Sequence, residues 1–437
     1  MVLAIKMLKR KAESALKAWK EKENRGVLFL QGPRGSGKSS LVTKFAKENY
    51  NHFVHLDFEN NPVHKSIFFS SLDFSSIIKQ ITLKLRRGKL IPNETLIFLD
   101  EVHLSPKARE AAKTLIEGNR FDVIMASSFS GANIDRFDPS PLEHEEILNV
   151  SSMDLEEFMW ANGISTQAID DVYRCFNEKR PIPSILHEQF INLFKEYMVV
   201  GGMPEVVSAF VNNHDFREVL NIQRKIYNSY VKAIEDHLTG PNQTKALQCF
   251  NSIDSQLMKE NKKFQYGVVE DKGNARKFES SILWLYDAEM IRISFQLDNL
   301  LLPFHRNARY NIFKVYFQDH GLLMSRLGYQ VQQAIMDGNF NIENSAVLEA
   351  TVADLLAKND IRLFYYSKST TLNMEFIVDV GGVVTALSVN DADNTKAKAL
   401  TSLYENYDLK FGIELTRDNL SVSDNLHRYP LYCLMFF

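Results

Sequence analysis

The sequence predicts an α/β fold that opens on a parallel sheet, and three observations predict it. Residues 27–40 read as a strand, a glycine-rich turn and a helix start, with Gly32-Pro33-Arg34-Gly35-Ser36-Gly37-Lys38-Ser39 fitting G-x-x-x-x-G-K-[ST]. Further on, Thr95-Leu96-Ile97-Phe98-Leu99-Asp100-Glu101 reads as an apolar strand ending in two carboxylates. Around these two stretches, strand runs alternate with helical patterns. That is the signature of a parallel sheet that binds ligands at its strands' C-terminal ends.

The first stretch has the chemistry of a phosphate cradle. Gly32, Gly35 and Gly37 let the backbone curl, so that successive N–H groups point at phosphate oxygens. Pro33, Arg34, Ser36 and Ser40 complete the candidate binding loop. Lys38 brings a mobile positive charge to the β- and γ-phosphates, and Ser39 offers a hydroxyl to Mg²⁺. The helix starting near Lys38 presents its positive end to the same anion. In the second stretch, Asp100 can hold Mg²⁺ through water and hydrogen-bond Ser39. Glu101 can polarise the attacking water as general base. The expected ligands are therefore ATP and Mg²⁺, with Lys38 and Glu101 catalytic and Ser39 and Asp100 on the metal.

Composition sets the bounds. The chain has 437 residues, long enough for several domains, and its 45% hydrophobic and 24% charged residues are ordinary for full-sized cores. A net charge of −3 excludes a protein built as a whole to bind polyanions. Cys175, Cys249 and Cys433 are scattered and odd in number, which argues against a disulfide framework and fits a reducing compartment. The first residues lack a secretory apolar region and no run has the length of a membrane span, so the chain reads as cytoplasmic, with no membrane partner.

In chain order, residues 1–24 read as an amphipathic helix, with Leu3, Met7, Ala12, Ala15, Leu16 and Trp19 on one face and lysines between them. It can pack on the core or touch nucleic acid or membrane. After the loop, residues 52–57 read as a strand, 62–87 as mostly helical, 106–118 as a helix and 121–126 as a strand. The tip of that last strand places Ser127 or Ser128 to sense a γ-phosphate or to cap a turn. Arg136 follows in a loop. A strand between the two motifs and a glutamate after the second aspartate resemble the additional-strand, catalytic-glutamate class of P-loop ATPases. Hydrolysis is then expected over phosphoryl transfer to a metabolite.

Residues 153–161, 166–176, 184–199 and 206–237 read as the helices of a lid, broken at Gly201-Gly202-Met203-Pro204. Thr239-Gly240-Pro241-Asn242 reads as a domain boundary. Helices at 246–260 and 275–286, then short strands at 291–296 and 300–303, suggest a winged-helix module. Lys259, Lys262, Lys263 and Phe264 lie near the end of its first helix, where they complement the helix dipole or contact phosphates. Beyond it, 345–357 reads as a helix, 376–380 and 383–389 as a hairpin turned on Gly381-Gly382, and 431–437 as a last strand.

Longer strings carry a family resemblance. They are Leu99-Asp100-Glu101-Val102-His103, Met153-Asp154-Leu155-Glu156-Glu157-Phe158, Gly201-Gly202-Met203-Pro204-Glu205-Val206-Val207 and Lys314-Val315-Tyr316-Phe317-Gln318-Asp319-His320-Gly321-Leu322-Leu323. With the phosphate loop, they make the chain resemble the bacterial and archaeal AAA-type ATPases whose C-terminal half is a domain of unknown function. The resemblance implies ATP binding, a winged-helix-like middle and a C-terminal restriction-endonuclease-like fold. In that fold a metal nuclease gathers carboxylates and a lysine. The helix glutamate maps to Glu349, the hairpin acid to Glu375, and the Glu-x-Lys position falls on Ser388-Val389-Asn390. A carboxylate and the lysine are thus replaced, and residues 338–437 hold 8 Lys and Arg against 13 Asp and Glu, a net of −5. The module is expected not to be a nuclease.

The organisation expected is a P-loop ATPase core at 1–150, a helical lid at 151–240, a winged-helix-like domain at 241–304 and a degenerate nuclease-like α/β domain at 305–437. The expected function is a Mg-dependent ATPase that couples nucleotide binding or hydrolysis to a conformational change. The alternative is an ATP-gated module that binds DNA or a protein through its middle domain and turns over little. The oligomeric state is left open.

Overall fold

A computed structural model of the chain describes residues 8–85, 90–117, 121–129, 145–339, 342–368, 372–389, 400–404, 406–407, 409–423 and 425–437. They divide into two compact units, Met1–Ser152 with Tyr286–Met290, and Met153–Leu285 with Ile291–Phe437.

The first unit runs α1 (Ala12–Glu21), β1 (Val27–Gln31), α2 (Lys38–Asn49), β2 (His52–Asp57), α3 (Phe74–Lys84), β3 (Thr95–Asp100), α4 (Pro106–Ile116), β4 (Asp122–Ser127) and β5 (Glu145–Asn149). The strands are parallel in the order β2-β3-β4-β1-β5. Every residue of β3 and β4 is buried, as expected of strands covered on both faces. Strand alternation separates two cores. Phe29, Leu56, Ile97, Leu99, Val123 and Met125 pack with α3 and α4 on one face. Leu28, Leu30, Phe98, Ile124 and Ala126 pack with Leu16 and Trp19 of α1 and with Leu41, Val42 and Phe45 of α2 on the other.

Three expectations change in this unit. The strand at 52–57 lies between the two motifs in sequence, but in the sheet it flanks β3 on the outer side, and β4 is the strand between β1 and β3. β5 was not anticipated. Its Glu145-Glu146 start hides it, and it lies at the sheet edge. Of the helix expected over 1–24, the described residues show α1. Before it, Arg10 is buried and its guanidinium donates to the carbonyls of Ser36 at 2.8 Å and Ser151 at 2.7 Å, which ties the chain down outside the helix. Leu3 and Met7 lie outside the described residues.

The second unit begins with α5 (Leu155–Ala161), α6 (Thr166–Asn177), α7 (Ser184–Val200), α8 (Pro204–Asn213), α9 (Phe216–His237), α10 (Gly240–Asn251), α11 (Ile253–Leu257), α12 (Tyr266–Val269) and α13 (Ala275–Asp287). It continues with β6 (Ile291–Leu297), β7 (Ala308–Phe317), α14 (His320–Leu327), α15 (Tyr329–Met336) and α16 (Ile342–Lys358). It ends with β8 (Phe364–Ser367), β9 (Asn373–Met374), β10 (Phe376–Val380), β11 (Val383–Val389), β12 (Gly412–Thr416), β13 (Ser421–Val422) and β14 (Leu426–Pro430). One sheet has the order β7-β6-β8-β9 and another β10-β11-β12-β14-β13.

The expected helix over 206–237 is two helices. His214 adopts the left-handed conformation at φ 49°, and Asp215 caps the N-terminus of α9. Thr239–Asn242, read as a domain boundary, is the start of α10, where proline is tolerated because its missing N–H costs nothing in a first helical turn. The partner of β6 is β7, and residues 300–303 lie in the loop before it. The β6–β7 hairpin spans residue 304, where a module boundary was expected. The apolar run 431–437 is a buried 3-10 turn after β14, since such a run without periodicity does not separate strand from helix. Among the described residues, no helix is long and apolar enough to cross a membrane.

The family strings that begin at Met153, Gly201 and Lys314 meet inside this unit. Asp319 accepts from Gly321 N at 2.9 Å and Gly202 N at 3.0 Å. Lys358 Nζ donates to Asp354 at 2.8 Å, Tyr197 OH at 3.0 Å, Met153 O at 3.1 Å and Asp319 at 3.3 Å. The His320 ring faces Asp354 from Nδ1 and the Tyr197 carbonyl from Nε2, both at 2.8 Å, and both partners can only accept. A Cβ on Gly202 would stand 2.2 Å from Met153 O and 2.7 Å from Lys358 Nζ. Asp319, His320 and Asp354 cluster like metal ligands, but Lys358 and Arg292 already supply the compensating positive charge.

Candidate functional site

The phosphate-type loop connects β1 to α2. Gly35 and Gly37 sit at φ 82° and 88°, where glycine is favoured. A Cβ on Gly32 would come within 2.1 Å of Val150 O, so no side chain fits there. Lys38 opens α2 and turns back into the loop, its Nζ donating to Gly32 O at 2.7 Å and Pro33 O at 3.0 Å. It also donates to Ser128 Oγ at 3.3 Å. Burial pulls the Lys38 ammonium below its ordinary pKa, and the nearby charge of Glu101 opposes it most strongly.

At the neighbouring strand ends, Ser128 joins Lys38 to Glu101. Its hydroxyl donates to Glu101 Oε1, and its backbone N–H donates to Oε2 at 2.8 Å. Glu101 holds the left-handed conformation at φ 53° and ψ 50°, a strained backbone for a side chain this long. Burial pushes the Glu101 carboxyl upward, but bonds from His103 and Ser128 and the Lys38 charge outweigh it and bring it to about 2. Glu101 is therefore ionised at neutral pH.

Asp100 is buried. Its Oδ1 accepts from Glu101 N at 3.1 Å and its Oδ2 faces His55 Nε2 at 3.0 Å. The expected hydrogen bond between Ser39 and Asp100 is absent among the described residues, because that carboxylate is turned to His55 on the adjoining β2. Ser39 and Ser40 lie in the first turn of α2, half-buried and exposed respectively. Arg34 leans away to Glu59 at 2.7 Å. Ser127, the other serine considered as a phosphate sensor, donates to Phe129 O at 2.6 Å instead. The tip of β4 thus presents Ser128, not Ser127, to Lys38.

These residues fit a polyphosphate nucleotide with a hard cation. Ser36 Oγ is buried in the loop without a hydrogen-bond partner, a donor ready for an acceptor oxygen. The helix N-terminus at Lys38 suits an anion. Ser39 and Asp100 are the oxygen donors that Mg²⁺ prefers. Sequence reasoning assigned no part to His55 or His103. His55 comes beside Asp100 only through the β2–β3 register, which pairs Asp57 with Asp100. His103 lies in the turn after β3, and no local sequence pattern marks it.

In the second unit the residues mapped onto a nuclease site come together in part. Glu349 on α16 is buried, accepts from Lys314 and Lys262 at 2.8 Å and from Tyr316 at 2.7 Å, and is held well below the usual carboxylate range against its burial. Glu375 directly precedes β10, and Ser388 lies on β11 with its Oγ buried and without a partner. Lys262, from the basic cluster, thus faces inward to Glu349, and Phe264 stacks on Phe313 at 5.5 Å. Arg136 and Asn390 lie outside the described residues.

Residues 24–159 match a family model described as an AAA domain, and residues 191–333 match one described as a domain of unknown function. No curated protein matches the chain. Among solved structures, the Walker-type ATPase PABY2304 of Pyrococcus abyssi is similar at 12% identity and a TM-score of 0.41, over 73% of this chain and 95% of that one. PCH-2 of C. elegans is similar at 17% identity and a TM-score of 0.28, over 45% of this chain and 58% of that one. The Drosophila ORC, solved bound to DNA, is similar at 14% identity and a TM-score of 0.28, over 76% of this chain and 96% of that one.

Proposed function

We propose that this chain, which carries an AAA domain over residues 24–159, is a Mg-dependent ATPase that couples ATP hydrolysis to a conformational change. One observation carries the reading. The loop lysine, the glutamate after β3 and the serine at the tip of β4 converge through Ser128 Oγ, which contacts both Lys38 and Glu101. The loop amides and Lys38 bind the phosphates, and the Ser128 hydroxyl meets the terminal one. Mg²⁺ on Ser39 and Asp100 would neutralise charge that develops on the phosphate oxygens. Glu101 takes a proton from the attacking water, whose oxygen bonds to the terminal phosphorus as the bond to the bridging oxygen breaks, leaving ADP and phosphate. Lys38→Ala is expected to lower phosphate release at least ~100-fold, as removal of a transition-state charge contact does. Equal rates in the two proteins would sink the proposal.

A second reading is an ATP-gated module that binds DNA or a protein partner with little turnover. It draws support from Arg10 and the loop residue Arg34, which among the described residues bond to Ser36 O with Ser151 O and to Glu59. Tight ATP binding by calorimetry without turnover, even with DNA or RNA added, would favour it. Under either reading we divide the chain into a P-loop core, a helical lid, and a C-terminal part in which the sheet β7-β6-β8-β9 joins the winged-helix-like middle to a nuclease-like end without nuclease chemistry. The two lysines on Glu349 support the last point, since a carboxylate neutralised twice is a poor metal ligand. Plasmid cleavage with Mg²⁺ or Mn²⁺ that disappears in Glu375→Ala would overturn it.

A further inference from the structure

His103 follows Glu101 by two residues in the 3-10 turn after β3, and its side chain is buried with the ring tilted against Phe129 at a centroid distance of 5.0 Å. Its Nδ1 faces two atoms, Ser127 Oγ at 3.1 Å and Glu101 Oε2 at 3.3 Å. The Ser127 hydroxyl gives its only proton to Phe129 O, so towards His103 it accepts. The Glu101 carboxylate also accepts. A proton on Nδ1 is therefore placed to be shared between the two.

The two oxygens of Glu101 are consequently held by different means. Oε2 is tied to the Ser128 backbone N–H and to the buried His103 ring, neither of which can leave without moving the β3 or β4 strand end. Oε1 is held by the Ser128 hydroxyl, which also touches Lys38 and can rotate to another acceptor. An anionic oxygen arriving at Lys38 is such an acceptor.

We propose that His103 is a positioning residue of the ATPase site, its Nδ1–H anchoring Glu101 Oε2 so that Oε1 is the oxygen turned to the attacking water. This rests on the ATPase reading above. A base anchored at one oxygen keeps the other aimed, and loss of the anchor costs alignment, not nucleotide affinity.

The test uses the full chain, with phosphate release over a range of Mg-ATP and ATP binding by calorimetry. It compares the wild type with Lys38→Ala, His103→Ala, His103→Phe and His103→Asn. His103→Phe keeps the ring volume and drops the donor, while His103→Asn restores an amide N–H near the Nδ1 position. His103→Ala and His103→Phe are expected to lose kcat ~10-fold or more with KM and ATP affinity within about twofold, and His103→Asn to recover most of the loss. Wild-type kcat in His103→Phe, or His103→Asn no better than His103→Phe, overturns the assignment while leaving the ATPase reading intact. A wild type no faster than Lys38→Ala overturns both.

Discussion

At the residue scale, the loop is fixed by space as much as by charge. Gly32→Ala would drive its Cβ into Val150 O, a backbone atom that cannot turn aside. The variant is expected to lose ~2 kcal/mol or more in denaturant unfolding, because overpacking against backbone forces the strand ends apart. Glu101 gives a pH-dependent expectation. Its folded pKa of about 2 lies below the ordinary 4.5, so the stability it contributes is complete above 4.5 and is lost as pH falls toward 2. Glu101→Gln should therefore unfold with a shallower dependence on pH across that window, which thermal melts would register. Lys38, Asp100 and Glu101 could be singled out in the sequence as candidates because they belong to local strings whose spacing suggests a use. His55 and His103 could not, since their partners are set by strand register and by a turn, neither of which leaves a local pattern.

At the element scale, β3, β4 and even the edge strand β2 were legible, while β5 and β7 were not. β3 and β4 carry unbroken apolar runs of four residues and read at sight, whereas β5 begins with two glutamates and β7 with Ala-Arg-Tyr-Asn. Both take strand geometry from the neighbour they pair with, a tertiary influence that overrides propensity. The break between α8 and α9 shows a local signal overlooked in a long helical pattern. Asp215 accepts from Arg217 N at 2.8 Å and Glu218 N at 3.4 Å and so begins a new helix. Asp215→Ala is expected to cost ~1 kcal/mol, measured by urea unfolding, and Asp215→Ser to restore most of it. The terminal run Leu431–Phe436 illustrates the converse, an apolar stretch that burial alone makes plausible as either strand or helix.

At the scale of the whole molecule, the sequence conveyed an α/β fold opening on a parallel sheet but not which distant strings touch. Met153, Gly202, Asp319, Asp354 and Lys358 lie far apart in the chain, yet one ammonium group binds three of them directly. Lys358→Met leaves Asp319 and Asp354 buried without that charge and is expected to cost ~3–5 kcal/mol in denaturant unfolding. Adding Asp354→Leu to it should cost less than the sum of the single losses, a coupling that a double-mutant cycle would read directly. The same contacts have an evolutionary consequence. With no room for a Cβ on Gly202 and two carboxylates sharing one cation, a change at any of these positions arrives at a loss unless its neighbours change too. Substitutions within the group are therefore expected to be epistatic, a paired change costing less than the sum of its single changes. Strings so far apart in the chain can then serve together as a signature because they are a single contact, written in several places.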